Sequence, residues 1–336
     1  MFNPTKVRMH LYIIALMVLA FAIRVHGLGK LSLWLDEGIT SYKMGFTCRE
    51  LFTYTEVDNV PPLYYAILHL FRAWIHTDTA LRFPSVIYGT LTLPVLFFIC
   101  RRLFDVRTAL LSGFLFSLST FHVWFSQEAR SYSLYTLCYA LTLFFLVRWD
   151  QDPKSLKDLS GYLVCSVLML YCHSTALFYW VTNQVIFIWL QKHYNQRKVW
   201  TWVLGQGAVL LMFVPWVPSF VSQARNFNHA INLGALDYSA VIEVLLILTS
   251  FLPLYPHEVS RILGLSIDPV DLLNLTWVVA FLGAVCLSLI RLDRKWVRSY
   301  GTALLLVTFP LLSVTFFSVS ICNIFFDRLF LPSTLG

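Results

Sequence analysis

Residues 9–37 read MHLYIIALMVLAFAIRVHGLGKLSLWLDE. An apolar run from Leu11 to Ile23 ends at Arg24 and His26, and adjacent carboxylates, Asp36 and Glu37, follow a few residues later. Lys6 and Arg8 precede the run and no small-x-small cleavage site follows it, so it reads as an uncleaved first span. Acids beside a membrane span are costly unless they are solvated, paired or used. The pair is therefore the first candidate site.

The rest of the chain carries the same pattern outward. Of 336 residues, 58% are hydrophobic, 16% aromatic and only 13% charged, and the mean hydropathy is +0.68. A water-soluble domain of this size needs far more surface charge. The apolar residues fall in blocks of about 16–20, the length of helices that cross a bilayer core. Candidate spans centre on residues 9–28, 83–100, 108–125, 132–148, 160–172, 174–190, 200–220, 272–290 and 301–321. The predicted architecture is an all-α polytopic bundle of about nine transmembrane helices, a single membrane domain over residues 1–336. The net charge of +7 sits in short clusters between spans, which excludes a nucleic-acid footprint. The seven cysteines are scattered without a CxxC pair; they read as small core residues.

Basic connectors mark the cytoplasmic side. Lys6/Arg8, Arg101/Arg102/Arg107, Arg148/Lys154/Lys157, Lys192/Arg197/Lys198 and Arg291/Arg294/Lys295/Arg298 together hold 15 of the 25 Lys and Arg. Among the 18 acids only Asp105, Asp150, Asp152, Asp158 and Asp293 share that side. Residues 29–82 then form a long outer loop. Within it, residues 62–77 alternate Leu63, Ile67, Leu70 and Trp74 with His69, Arg72 and His76, as an interfacial amphipathic helix does. Residues 240–255 read as interfacial or re-entrant.

The polar residues that can carry chemistry collect on the outer side. Asp36 and Glu37 have two readings: acids in the first turn of a short helix, or a general base and divalent-cation ligands. Trp34 suits an interface anchor for the pair. Asp58, before Asn59 and Pro61-Pro62, reads first as a helix-start signal. Glu128 and Arg130 share one short loop, where they either pair with each other or present Arg130 to a phosphate. His173 stands at an outer turn and reads as a satisfied polar residue or a site member. Arg24 is expected to snorkel to the interface. Lys43 and Arg328 are further outer cations. Zinc-site, Walker, GxGxxG and GxSxG patterns are absent from the sequence.

Several segments, in order, resemble the polytopic GT-C glycosyltransferases, in particular bacterial relatives of protein O-mannosyltransferases and of the aminoarabinose transferases. They are Arg24-x-x-x-Leu28-Gly29, Leu33-Trp34-Leu35-Asp36-Glu37, Asp58-Asn59-x-Pro61-Pro62-Leu63-Tyr64-Tyr65, Leu81-Arg82-Phe83-Pro84-Ser85, Arg101-Arg102-Leu103-Phe104, Phe125-Ser126-Gln127-Glu128-Ala129-Arg130 and Tyr171-x-His173. The resemblance covers roughly residues 20–180. It implies sugar transfer from a polyprenyl-phosphate donor to a lipid, glycan or protein acceptor on the outer face of the cell's inner membrane. It implies residues 29–82 as the catalytic loop and an inverting transfer, with Asp36 as the catalytic carboxylate, a base on the acceptor hydroxyl, and Glu37 beside it. Asp58, Glu128, Arg130, His173 and Arg328 would contact substrate. A second Asp that some relatives carry five residues after the loop Arg is Tyr135 here, so a divalent cation stays an open expectation with no assigned ligands. Relatives also continue beyond the equivalent of Arg328. This chain therefore reads as shortened, with residues 322–336 loosely packed. Two other readings remain at this stage: a lipid-linked sugar flippase or other transporter, and a non-catalytic shortened relative.

Overall fold

Polar N-caps or basic last turns mark the ends of several helices of the bundle. Helices α1 (Pro4–Val25), α2 (Leu35–Met44), α3 (Cys48–Thr53) and α4 (Leu63–Phe71) come first. Then follow α5 (Asp78–Leu103), α6 (Val106–Leu118), α7 (Thr120–Ser126), α8 (Tyr132–Gln151), α9 (Leu156–Leu170), α10 (Ala176–Leu190), α11 (Gln196–Phe213) and α12 (Val297–Ser320). The computed structural model describes residues 4–53, 60–191, 195–222, 296–320 and 332–333, and among these there is no strand. Thr77, Asp105, Ser155 and Asn195 cap α5, α6, α9 and α11, each side chain accepting from a backbone N–H in the first turn. Arg101 and Arg102 close α5, and Arg148 closes α8, where the helix dipole favours cations.

Among the described residues, five helices are long and apolar enough to cross a membrane, six if the bent pair α6–α7 counts as one span. The chain is a multi-pass membrane protein. Eight of the nine expected spans fall on described helices; the ninth, 272–290, lies outside the described residues, as does 240–255. α9 and α10 have 15 residues each, about 22 Å against a hydrocarbon core of about 30 Å. The turn between them, 171–175, seats His173 inside the bundle and takes residues from both. α4 has nine residues, about 14 Å, and cannot cross. Within residues 62–77, Leu70, Phe71 and Trp74 are the exposed large apolar residues, while Tyr64, Tyr65 and Leu68 are buried.

α8 packs between α5 and α9, and α5 also meets α1 and α6. Tyr135, Tyr139, Tyr162 and Tyr179 are fully buried there with Phe97 and Met169. One end of the bundle gathers the basic connectors. Lys198 Nζ is 2.6 Å from Asp150, Arg148 Nε is 2.6 Å from Asp158, and Phe104 stacks on Trp296. Cys100, Cys138, Cys165 and Cys172 are unlinked and buried, as small core residues are.

Arg24 corrects the sequence reading. It does not reach the interface but is fully buried. α6 and α7 meet at a 57° bend, which takes the carbonyls at the end of α6 out of the regular helical ladder, Phe116 O keeping a 3.3 Å bond from Ser119 N–H. The Arg24 guanidinium donates to the carbonyls of Phe116 (3.4 Å) and Ser117 (3.4 Å), to Ala20 O (3.1 Å) and to Ser126 Oγ (3.2 Å). A broken helix in lipid needs such compensation. Gly89 makes the approach possible, because a Cβ there would overlap Ser126 Oγ and come within 3.1 Å of Arg24 Nε. Gly89→Ala is expected to destabilise the protein by about 1–3 kcal/mol, read as a lower unfolding midpoint in detergent. Adding Ser126→Ala should restore part of the loss, since it removes the overlapping oxygen.

The expected loose tail is corrected where it is described. Pro332 and Ser333 are buried, and the Ser333 and Tyr179 hydroxyls lie 2.7 Å apart. The rest of 322–336 lies outside the described residues.

Candidate active site

The chain leaves α1 through Gly27, whose φ of +75° suits glycine, and enters α2 at Leu35. Asp36 and Glu37 occupy the first turn of α2, so the helix-start reading of the pair holds. Burial then separates them. The Glu37 side chain is 1% exposed, while that of Asp36 is 21% exposed.

Glu37 is sealed by partners from three segments. Its carboxylate accepts a fork from Arg82, Nε to Oε1 at 2.7 Å and Nη2 to Oε2 at 2.6 Å. Oε1 also accepts from the backbone N–H of Ala129 at 2.8 Å, and Oε2 from that of Trp34 at 3.4 Å. Arg82 spends its other donors on the carbonyls of Leu28 (2.9 Å), Leu31 (2.8 Å) and Ser32 (3.1 Å). One planar fork thus holds the 28–32 loop, α2 and the 127–131 loop against α5, a geometry that suits guanidinium and not ammonium.

Asp36 faces a different set. Its Oδ2 is 3.8 Å from Arg130 Nη2, and its carbonyl accepts from Arg130 Nη1 at 3.4 Å. Nη1 also donates to the Tyr65 hydroxyl at 3.0 Å. Lys43, one helix face along α2, places its ammonium 4.9 Å from the centre of the Tyr65 ring. Two cations, Arg130 and Lys43, therefore share Tyr65 beside a partly open carboxylate. The Arg130 backbone is fixed from below, its carbonyl accepting from Ser85 Oγ at 3.3 Å while Ser85 and Tyr64 hydroxyls lie 2.9 Å apart. Burial pushes the Tyr64 phenol well above its ordinary pKa, so it serves as a neutral hydrogen-bonding post.

The remaining expected residues fall as follows. Glu128 accepts from Trp124 Nε1 at 2.8 Å, on the α7 side of the loop. His173 is buried, stacked on Tyr135 with ring centres 5.4 Å apart, and its Nδ1 is 2.9 Å from Thr175 Oγ1. Leu63 N–H donates to Tyr171 O at 3.1 Å, which brings this turn to the start of α4. Asp58 and Arg328 lie outside the described residues. The described donors do not fit a divalent cation: Glu37 is spent on Arg82, Asp36 faces a guanidinium, and among the described residues no three His, Cys, Asp or Glu side chains converge.

Arg82, Tyr65 and Ser85 are the site members that sequence reasoning did not assign. Arg82 carried a signal, because an Arg in the second turn of an apolar span requires a partner. Tyr65 and Ser85 carried none beyond their place in the quoted segments.

Residues 59–218 match the family model described as dolichyl-phosphate-mannose-protein mannosyltransferase, a little under half of the chain. The structure is similar to that of ArnT from Cupriavidus metallidurans in the apo state, with a TM-score of 0.59 at 15% identity. The alignment covers 99% of this chain and 58% of that one. The fold is of the GT-C class. An oligosaccharyltransferase of Archaeoglobus fulgidus is also similar, with a TM-score of 0.46 at 14% identity over 95% of this chain and 48% of that one. No curated protein sequence matches the chain. The chain spans 58% of the length of the ArnT structure. Within this GT-C fold the family match takes in Tyr65, Arg82, Ser85, Arg130 and His173 but stops short of Asp36 and Glu37.

Proposed function

We propose that the chain is a glycosyltransferase that moves a sugar from a polyprenyl-phosphate donor to a lipid, glycan or protein acceptor at the membrane surface. The observation that carries this reading is the Asp36–Arg130–Tyr65–Lys43 cluster, a partly open carboxylate next to two cations at the rim of a membrane bundle. The family match over 59–218 supports the lipid-linked donor. The gathering of basic connectors at the opposite end supports a cytoplasmic reading of that end and, with it, an outer-face reading of Asp36 at the inner membrane.

The chemistry follows from charge development. As the acceptor oxygen bonds to the anomeric carbon, its proton passes to the Asp36 carboxylate. The bond from the anomeric carbon to the phosphate oxygen breaks, and its electron pair leaves with the phosphate. Cations aimed at that oxygen stabilise the transition state more than the ground state. The Asp36–Arg130 contact of 3.8 Å is longer than a charge-assisted hydrogen bond of about 2.7–2.9 Å, so it exchanges readily. On donor arrival Arg130 turns its fork to the phosphate and leaves Asp36 to the acceptor. Lys43 supplies the second charge.

A transporter reading would look to the broken helix α6–α7, since unwound backbone coordinates ions in transporters. Here those carbonyls are occupied by Arg24, which favours the enzyme.

The test is transfer of radiolabelled sugar by membranes holding the full chain, with a panel of hexosyl and pentosyl polyprenyl phosphates. Incorporation from none of them overturns the proposal. Arg130→Ala is expected to raise the donor KM by about 10- to 100-fold, the equivalent of a lost charged hydrogen bond of about 1.5–3 kcal/mol. Arg130→Lys should recover little, because an ammonium lacks the fork. Unchanged donor KM in Arg130→Ala would remove Arg130 from the donor site.

A further inference from the structure

Arg82 and Arg102 stand on the same helix, α5, twenty residues apart. That is about 30 Å along the axis, the thickness of a hydrocarbon core. With Arg82 at the Asp36 rim, Arg102 stands at the headgroup layer of the other leaflet. Its Nη1 donates to Gln151 Oε1 at 2.6 Å, and its guanidinium lies 5.9 Å from the centre of the Phe144 ring. Arg148 approaches the same ring at 5.4 Å. Arg148 is matched by Asp158 at 2.6 Å, but Arg102 has a neutral hydrogen-bond partner and, among the described residues, no carboxylate within ion-pair distance; Asp158 reaches it only across a longer range. Arg101 adds a third cation within electrostatic reach. The other acids nearby are committed elsewhere: Asp105 accepts from Thr108 N–H, Asp150 from Lys198, and Asp152 from Lys154 N–H.

Basic residues at one end of a bundle are general. What marks this spot is two guanidiniums on one phenyl ring with one carboxylate between three cations. Like charges so placed repel, and an anion relieves them. We propose that Arg101, Arg102 and the Phe144 edge form a binding site for the phosphate of an anionic phospholipid headgroup, remote from the sugar-transfer site. The position fixes the source. The exposed donors of Arg102 face the headgroup layer, and the partly buried Phe144 ring lies where the first acyl carbons run. Clusters of Arg and Lys at this depth are each worth about 1 kcal/mol toward anionic lipid.

The test is native mass spectrometry of the full chain with equal phosphatidylglycerol and phosphatidylcholine. Arg101→Gln with Arg102→Gln is the variant, since it leaves the Arg148–Asp158 pair in place. The wild type is expected to retain phosphatidylglycerol preferentially, and the variant to lose about 5-fold of that preference per Arg removed. A rise in unfolding midpoint with phosphatidylglycerol, present in the wild type and absent in the variant, checks the same site in folded protein. Equal retention of the two lipids by the wild type, or an unchanged preference in the variant, overturns the proposal. Displacement of the lipid by an equal concentration of inorganic phosphate also overturns it, as that would mark a site for free anions. None of these readouts depends on sugar transfer.

Discussion

Asp36→Asn is expected to lower sugar transfer by about 10²–10⁴-fold, the usual loss when a general base is removed. The substitution keeps the volume of the side chain and leaves the Asp36 main-chain carbonyl that accepts from Arg130 Nη1, so the bundle and the donor site should persist. What it removes is a carboxylate able to take the acceptor proton. The loss should therefore appear in kcat, with donor KM and unfolding midpoint near those of the wild type. Glu37→Gln makes the contrast. Both Glu37 oxygens are engaged by Arg82, Ala129 N–H and Trp34 N–H, so neutralising it should lower the unfolding midpoint as well as the rate. Transfer at the wild-type rate by well-folded Asp36→Asn would end the assignment of Asp36 as base.

How legible this arrangement was depended on the range of each interaction. Hydropathy and charge act locally, so the helices of the bundle and the clustering of basic residues at their ends could be read directly. The same local reading failed for Arg24. An Arg near a span end ordinarily reaches for water, but the bend between α6 and α7 created carbonyls that only the folded bundle reveals. Asp36 and Glu37 posed a similar difficulty. Adjacent on one helix turn, they are equivalent in sequence, and their roles diverge because Arg82, 45 residues away, and Ala129, 92 residues away, both reach Glu37. Helix register decides that, and register is set by packing against distant segments. Tyr65 is a further case: the sequence marks it as an aromatic on an interfacial helix, while its use as a shared partner of Arg130 and Lys43 needs α2, α4 and the 127–131 loop in place.

Arg82→Met is the second large effect, and it separates stability from activity. The pair it breaks is buried on both sides, 6% and 1% exposed, so solvent cannot stand in for the lost partner. Removing one member of a buried ion pair typically costs about 3–5 kcal/mol, because the other charge is left uncompensated. Three loop carbonyls, those of Leu28, Leu31 and Ser32, lose their donors in the same step. The single variant should therefore show a much lower unfolding midpoint and little transfer. The double variant Arg82→Met with Glu37→Leu removes both charges, and apolar replacement of a buried pair is often close to neutral. Its midpoint should recover the part of the loss that comes from the uncompensated charge, while the Leu28, Leu31 and Ser32 carbonyls still lack their donor. Its activity should not, because nothing then ties the Ala129 N–H to α2, and Arg130 follows Ala129 directly. A double variant that regained both stability and transfer would show that the Glu37–Arg82 fork is dispensable for placing Arg130 beside Asp36.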